Sequence, residues 1–236
     1  MPTSTEGGGD LADDARHAPP AVTVAASAGG VEALSSFAAS LPADFPAAVL
    51  IVLHVPPGGR SMLPRILTRA GRLPARHPAD GEPLAAGVIL VAPPDRHMAV
   101  SEDRVRLIAG ARENGHRPAA DVLMRSVAES LGPRCAGVVL SGTMDDGAAG
   151  LSAVGAAGGL TLVQDPEEAA FPGMPSAAIE RASPRFIGPV ATLAERICHW
   201  LARLPDASPD APRAAAAALD RRADPARRMA GSEHSS

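Results

Sequence analysis

The chain has 236 residues and a formal net charge of −4; its 22 basic residues are all arginine, and neither lysine nor tyrosine occurs. An acidic balance without a basic, aromatic-laced stripe argues against a nucleic-acid binder, no apolar run reaches the ~18 residues of a membrane span, and the missing lysine removes P-loop, pyridoxal and Ser-Lys chemistry. With 46% apolar but only 2% aromatic residues, the core must be built from Ala, Val, Leu and Ile, and the length suits one domain of about 200 residues.

In chain order, residues 1–19 are acidic and Gly/Pro-rich, unlike the basic, apolar plan of a signal peptide, and are expected to form a flexible tail on a cytoplasmic protein. The apolar run "AVTVAAS" ends at Ser27, where a helical pattern begins, and "AAVLIVLHV" ends at Val55. "GVILVAP" follows to Pro93, and "HMAVSEDRVRLI" reads as a small appended β-hairpin over residues 97–108. "PAADVLMRSVAESL" predicts a helix with Pro118 first and Ala119, Val122, Leu123, Ser126, Val127 and Leu131 on one face. Two further runs, "CAGVVLSG" and "GLTLVQD", flank the small-residue helix "GAAGLSAVGAAGG", and "PVATLAERICHWLARL" makes a terminal amphipathic helix. Uninterrupted runs are expected of strands buried on both faces. Their alternation with helices predicts a doubly wound, mostly parallel α/β sheet with helices on both faces over residues 20–204. Residues 205–236 mix Pro, Ala and charge without an apolar period and are expected to be a disordered tail. Cys135 and Cys198 lie far apart without C-x-x-C and read as reduced core residues.

Ligands in such sheets bind beyond the carboxyl ends of the strands. Ser27, His54 and Asp146 all fall there, supplying a hydroxyl, an imidazole and a carboxylate, the inventory of a nucleophile, its base and the group that orients the base. The N–H groups of Ala28, Gly29 and Gly30 at the following helix start are placed to receive an oxyanion. Each piece has a plainer alternative: Ser27 and Asp146 as helix N-caps, His54 as a structural residue before Pro-Pro. His97 and His116 are other candidate bases, and a metal set of His54, His97 and His116 lacks supporting spacing. Around Ser27 the α/β-hydrolase elbow G-x-S-x-G lacks its first glycine, and the chain order Ser, His, Asp differs from that fold's Ser, Asp, His. A dinucleotide fingerprint over residues 25–30 finds only Gly30.

Six ordered stretches resemble the catalytic domain of the CheB-type chemotaxis protein-glutamate methylesterases: "ASAGG" at 26–30, "HVPPG" at 54–58, "DGEPLAAGVILVAPPDRHM" at 80–98, "HRPAADVLMRSVA" at 116–128, "LSGTMDDGAAGL" at 140–151 and "FPGMPSAAI" at 171–179. The resemblance spans about residues 21–203. It implies a parallel α/β fold, Ser27 as nucleophile, His54 as general base and acid, and Asp146 rather than Asp145 as the orienting carboxylate. Ala28, Gly29 and Thr143 would line the oxyanion pocket, Thr143 standing where familiar members carry a methionine whose backbone helps hold the oxyanion. Ala119 replaces a frequent serine. The implied reaction is hydrolysis of glutamate γ-methyl esters, with glutamine deamidation by the same route, without cofactor or metal. The implied partner is the cytoplasmic helical region of methyl-accepting chemotaxis receptors; an inactive binding or sensory module of the same fold is the alternative. Relatives often carry a receiver domain of on the order of 100 residues. Only about 20 residues precede the first strand here and a receiver's lysine is absent, so the expectation is an esterase not gated by phosphorylation of its own chain.

Overall fold

The structure, a computed structural model, describes residues 18–54 and 61–205. Most of both expected tails, and all of "HVPPG" but His54, lie outside the described residues. Nine strands and six α-helices occur among those described: β1 (Ala21–Ala26), α1 (Gly30–Ser40), β2 (Ala48–Leu53), α2 (Leu63–Ala70), β3 (Ala75–Arg76), β4 (Ile89–Val91), β5 (His97–Ser101), β6 (Arg104–Ile108), α3 (Ala120–Leu131), β7 (Cys135–Val139), α4 (Ala148–Ala156), β8 (Leu160–Gln164), α5 (Gly173–Ala182), β9 (Phe186–Gly188) and α6 (Val190–Leu201). Seven strands form one sheet in the order β3-β4-β2-β1-β7-β8-β9, and every pairing in it is parallel.

The uninterrupted apolar runs work because each strand feeds two cores. Along β1 the two-residue period sends Val22, Val24 and Ala26 to one side and Ala21 and Ala25 to the other. The first side is covered by α1, α2 and α6 through residues such as Leu34, Phe37, Leu67 and Ile197, and the second by α3, α4 and α5 through Leu123, Val127, Leu151 and Ala178. Thr23, the polar member of β1, is fully buried and donates its hydroxyl to the Ala136 carbonyl at 2.9 Å, which removes the cost of hiding it. Ala18, expected in the tail, is buried, and its carbonyl accepts from the Arg134 guanidinium.

β5 and β6 form a separate antiparallel pair that bonds to none of the seven strands. Their connecting residues Glu102 and Asp103 both have positive φ, as a two-residue hairpin turn of type I′ requires. Met98, Val100 and Val105 seal the second core, and the Val100 N–H and C=O bond the hydroxyls of Ser126 and Ser130 on α3. That bond accounts for a serine on a face expected to be apolar. On α3 itself Asp121 and Met124 are buried where Val122 and Ser126 had been expected, and the helix starts at Ala120, so Pro118 precedes it. β3, β9, α2 and α5 are additions to the predicted elements.

The chain runs outward from β1 through β2 to β3 and β4, then returns to β7 on the other side of β1. The order therefore reverses at β1, and β2, β1 and β7 are the three adjacent strands at this switch point.

Candidate active site

Ser27 follows β1, His54 follows β2, and Asp146 lies in the loop between β7 and α4. β1 and β2 run in parallel register with Ala26 opposite Leu53, so Ser27 and His54 occupy the next register position, where side chains of neighbouring strands point the same way. The backbone pins both. Ser27 N–H donates to Ser141 C=O at 3.0 Å, and His54 N–H donates to Ala26 C=O at 3.2 Å.

The imidazole of His54 meets Asp146 through Nε2, 2.7 Å from Oδ2, with side chains 7% and 1% exposed. An ionised carboxylate only accepts, so Nε2 carries the proton and Nδ1 of the neutral ring keeps a lone pair. Nδ1 is buried and has no partner among the described residues. The described hydrogen bonds do not include one between Ser27 and His54. Asp145, by contrast, is exposed.

Neither local capping role holds. The N-cap of α1 is Gly29 and that of α4 is Gly147, each left-handed and without a side-chain cap. Asp146 instead reaches across to α3, where Oδ2 accepts from Ala120 N–H at 2.7 Å and Oδ1 from Asp121 N–H at 3.1 Å. Asp121 returns the favour: its Oδ1 accepts from Gly147 N–H at 2.9 Å and Gly150 N–H at 2.6 Å at the start of α4. Two helix N-termini thus exchange capping carboxylates, and each buried carboxylate sits where orphan N–H groups concentrate positive potential.

Their titrations move oppositely. Burial opposes ionisation of Asp146, but His54 and the amides of Ala120 and Asp121 outweigh it and hold the carboxyl below the usual range. For Asp121 burial dominates, the Asp146 charge adds to it, and the carboxyl is raised. Asp146 therefore contributes stability above the unfolded carboxylate value near 3.9, lost as pH falls through its lowered folded value; Asp121 ionises at a cost as pH rises from that value through its raised one. Asp121→Ala, which strands two buried amides, is expected to cost about 3 kcal/mol at neutral pH, read as a lower urea midpoint. An unchanged midpoint would show that the cap exchange carries no stability.

Among the described residues the N–H groups of Ala28, Gly29 and Thr143 make no hydrogen bond, whereas Gly30 N–H is taken by Ser27 C=O at 2.9 Å and is withdrawn from the expected oxyanion set. The Ala28 carbonyl accepts from Ser141 Oγ at 2.9 Å, which fixes the turn, and the same hydroxyl accepts from Phe171 N–H. No side chain fits at Gly29: φ is 68° and a Cβ would stand 2.8 Å from Ser141 Oγ. Gly142 forms the floor, where an added Cβ would stand 2.9 Å from the Cβ of Ser27 and collide with Met174 Sδ. Gly142→Ala is expected to lower stability by about 1–3 kcal/mol. A shift in the thermal midpoint checks this, and none would mean that the strand end yields freely.

The other histidines separate. His97 is buried with both nitrogens on the backbone, Nδ1 accepting from Ala119 N–H at 3.2 Å and Nε2 bonding Ala111 C=O at 2.8 Å, so it is neither a base nor part of a metal set. His116, set among loop residues, stacks on His54 with ring centroids 3.7 Å apart and planes 1° from parallel. Asn114 donates to both carboxylates, at 2.9 Å to Asp121 Oδ2 and 3.3 Å to Asp146 Oδ1. Asn114 and Asp121 were not foreseen, and His116 was named only as another candidate base or metal ligand, not as a ring stacked on His54; the one sequence signal is Asn-Gly at 114–115, a hairpin-turn pair a few residues before a helix. Cys135 and Cys198 are free thiols, each pushed up to about 11 chiefly by burial.

Fold and site together define the class, a doubly wound α/β domain with a serine, a buried His–Asp pair and unpaired amides at its switch point. The family model described as CheB methylesterase matches residues 22–197, and the chain belongs to that family. A protein-glutamate methylesterase/protein-glutamine glutaminase of Anaeromyxobacter dehalogenans is 41% identical over 184 residues, 77% of this chain and 54% of that protein. One of Koribacter versatilis is 40% identical over 166 residues, 69% of this chain and 46% of that protein. The chain spans about half the length of these curated relatives. The crystal structure of the Thermotoga maritima CheB methylesterase catalytic domain superposes with a TM-score of 0.73 at 29% identity, covering 76% of this chain and 97% of that one.

Proposed function

We propose that this chain is a serine hydrolase that removes methyl groups from glutamate γ-methyl esters on the cytoplasmic helical region of methyl-accepting chemotaxis receptors and deamidates receptor glutamines by the same route. The supporting observation is the His54–Asp146 pair: Nε2 is committed to a buried carboxylate at 2.7 Å while Nδ1 has no partner among the described residues, and His54 stands at the register position opposite Ser27. Ser27 Oγ attacks the ester carbonyl as its proton passes to His54 Nδ1, and Asp146 supports the imidazolium. Ala28, Gly29 and Thr143 N–H groups receive the oxyanion. The C–OCH3 bond breaks, methanol leaves with the proton from Nδ1, and water, deprotonated by the same nitrogen, releases the γ-carboxylate and restores Ser27. An amide differs only in leaving as ammonia. The backbone role of Thr143 is indifferent to its side chain, so its departure from methionine leaves the donor in place. No helix among the described residues is long and apolar enough to cross a membrane, and the cytoplasm is where such a receptor segment lies.

The test is methanol release from receptor carrying isotopically labelled methyl esters. The purified chain is expected to release methanol and Ser27→Ala is not; equal release from both would overturn the reading.

A further inference from the structure

The turn before α3 supplies more to His54 than its place in a loop implies. Asn114 and Gly115 have φ of 51° and 76°, and Glu113 and His116 exchange both backbone hydrogen bonds, at 3.0 and 2.8 Å, which makes a closed two-residue turn of type I′. Three of its side chains are anchored. Glu113 pairs with Arg125 on α3 at 2.7 Å, Asn114 bridges Asp121 and Asp146, and His116 lies flat on His54. Asp146 thereby accepts from four donors, two on each oxygen: His54 Nε2 and Ala120 N–H, Asp121 N–H and Asn114 Nδ2.

A single Nε2–Asp146 bond holds one corner of the imidazole and leaves the ring able to swing about that bond. A stacked parallel ring removes that freedom, since tilting His54 would drive its edge into His116. We propose that His116 is a positioning residue, carried on the Glu113–His116 turn, whose ring fixes the plane of His54 so that Nδ1 faces Ser27. This rests on the assignment of Ser27, His54 and Asp146 given above.

The charge state agrees. Burial and the neighbouring His54 hold His116 below the ordinary histidine value, Arg112 adds to this, and Asp146 and Asp145 work against it. His116 thus offers an aromatic face to the imidazolium that forms on His54 beside Asp146 during turnover. Nε2 of His116 is buried without a partner among the described residues, so no hydrogen bond from them to that nitrogen competes with the stack for the ring's orientation.

The test compares His116→Ala and His116→Phe with wild type and Ser27→Ala, all as full chains, on the labelled methylated receptor. His116→Ala is expected to lose about 10- to 100-fold in kcat with KM nearly unchanged, while His116→Phe, which keeps a flat ring, stays within about threefold of wild type. Nitrogen-15 NMR of the histidines reads the ground state directly: all three keep the Nε2–H tautomer that Asp146 enforces, while exchange broadening of the His54 ring signals from reorientation of its plane appears in His116→Ala and not in wild type or His116→Phe. Superimposable circular dichroism keeps folding out of the comparison. Full kcat in His116→Ala beside a dead Ser27→Ala would overturn the inference alone, as would equal losses in the Ala and Phe variants. Full turnover by Ser27→Ala would overturn it together with the assignment beneath it.

Discussion

Ser27→Ala and His54→Ala are each expected to lower methanol release by about 10⁴-fold or more, and the double variant to be scarcely slower than either, because groups that act as one unit lose their whole benefit when the first is removed. The structural reason is the division of labour on His54. Its Nε2 is spent on Asp146, so Nδ1 is the sole ring atom left to exchange a proton with Ser27. Without the hydroxyl that nitrogen has no proton to take; without the imidazole the hydroxyl stays a weak nucleophile. The receptor assay with single and double variants measures this. Losses that multiply in the double variant would mean that the two residues act independently, and the assignment would fail.

Asp146→Asn is expected to combine two losses that ordinary triad substitutions keep apart. The amide can no longer accept at both positions, so the tautomer of His54 is no longer enforced and turnover falls by about 10⁴-fold. It also stops capping α3, because two N–H groups at the start of that helix lose a carboxylate, at a cost of about 2 kcal/mol at neutral pH. The deficit should depend on acidity. The Asp146 carboxyl lies below the usual range in the folded chain, so its stabilisation is complete above about pH 4 and fades as pH falls through the lowered value. Urea unfolding across acid pH should therefore show the variant and wild type converging in acid. A constant gap would place the stabilisation elsewhere.

The central architecture was legible because burial on both faces removes polar interruptions. β1, β2, β4, β7 and β8 all appear as bare apolar runs, and their ends mark where chemistry-bearing residues emerge. β3 and β9, two and three residues long, carry no period to read. Local rules misread the helix starts. Aspartate before Gly and a helix should cap that helix, yet Asp146 caps α3 and the aspartate that serves α4 is Asp121, inside another element. Such an exchange depends on two helices meeting in space. His116 was named as another candidate base, but its stacking was hidden for the same reason: a histidine in a polar loop becomes a ring on His54 only after the Asn-Gly turn folds back on the strand ends. Gly30 erred in the opposite sense, since its amide looked free until the turn closed on the Ser27 carbonyl.

The most direct measurement is covalent. A fluorophosphonate forms an Oγ–P bond with loss of fluoride only where a hydroxyl is activated by a base. Peptide mass spectrometry of the treated chain should place a single phosphonyl group on Ser27, formed at a rate that collapses in His54→Ala. Modification of another serine, or labelling of Ser27 that is as fast without His54, would contradict the account.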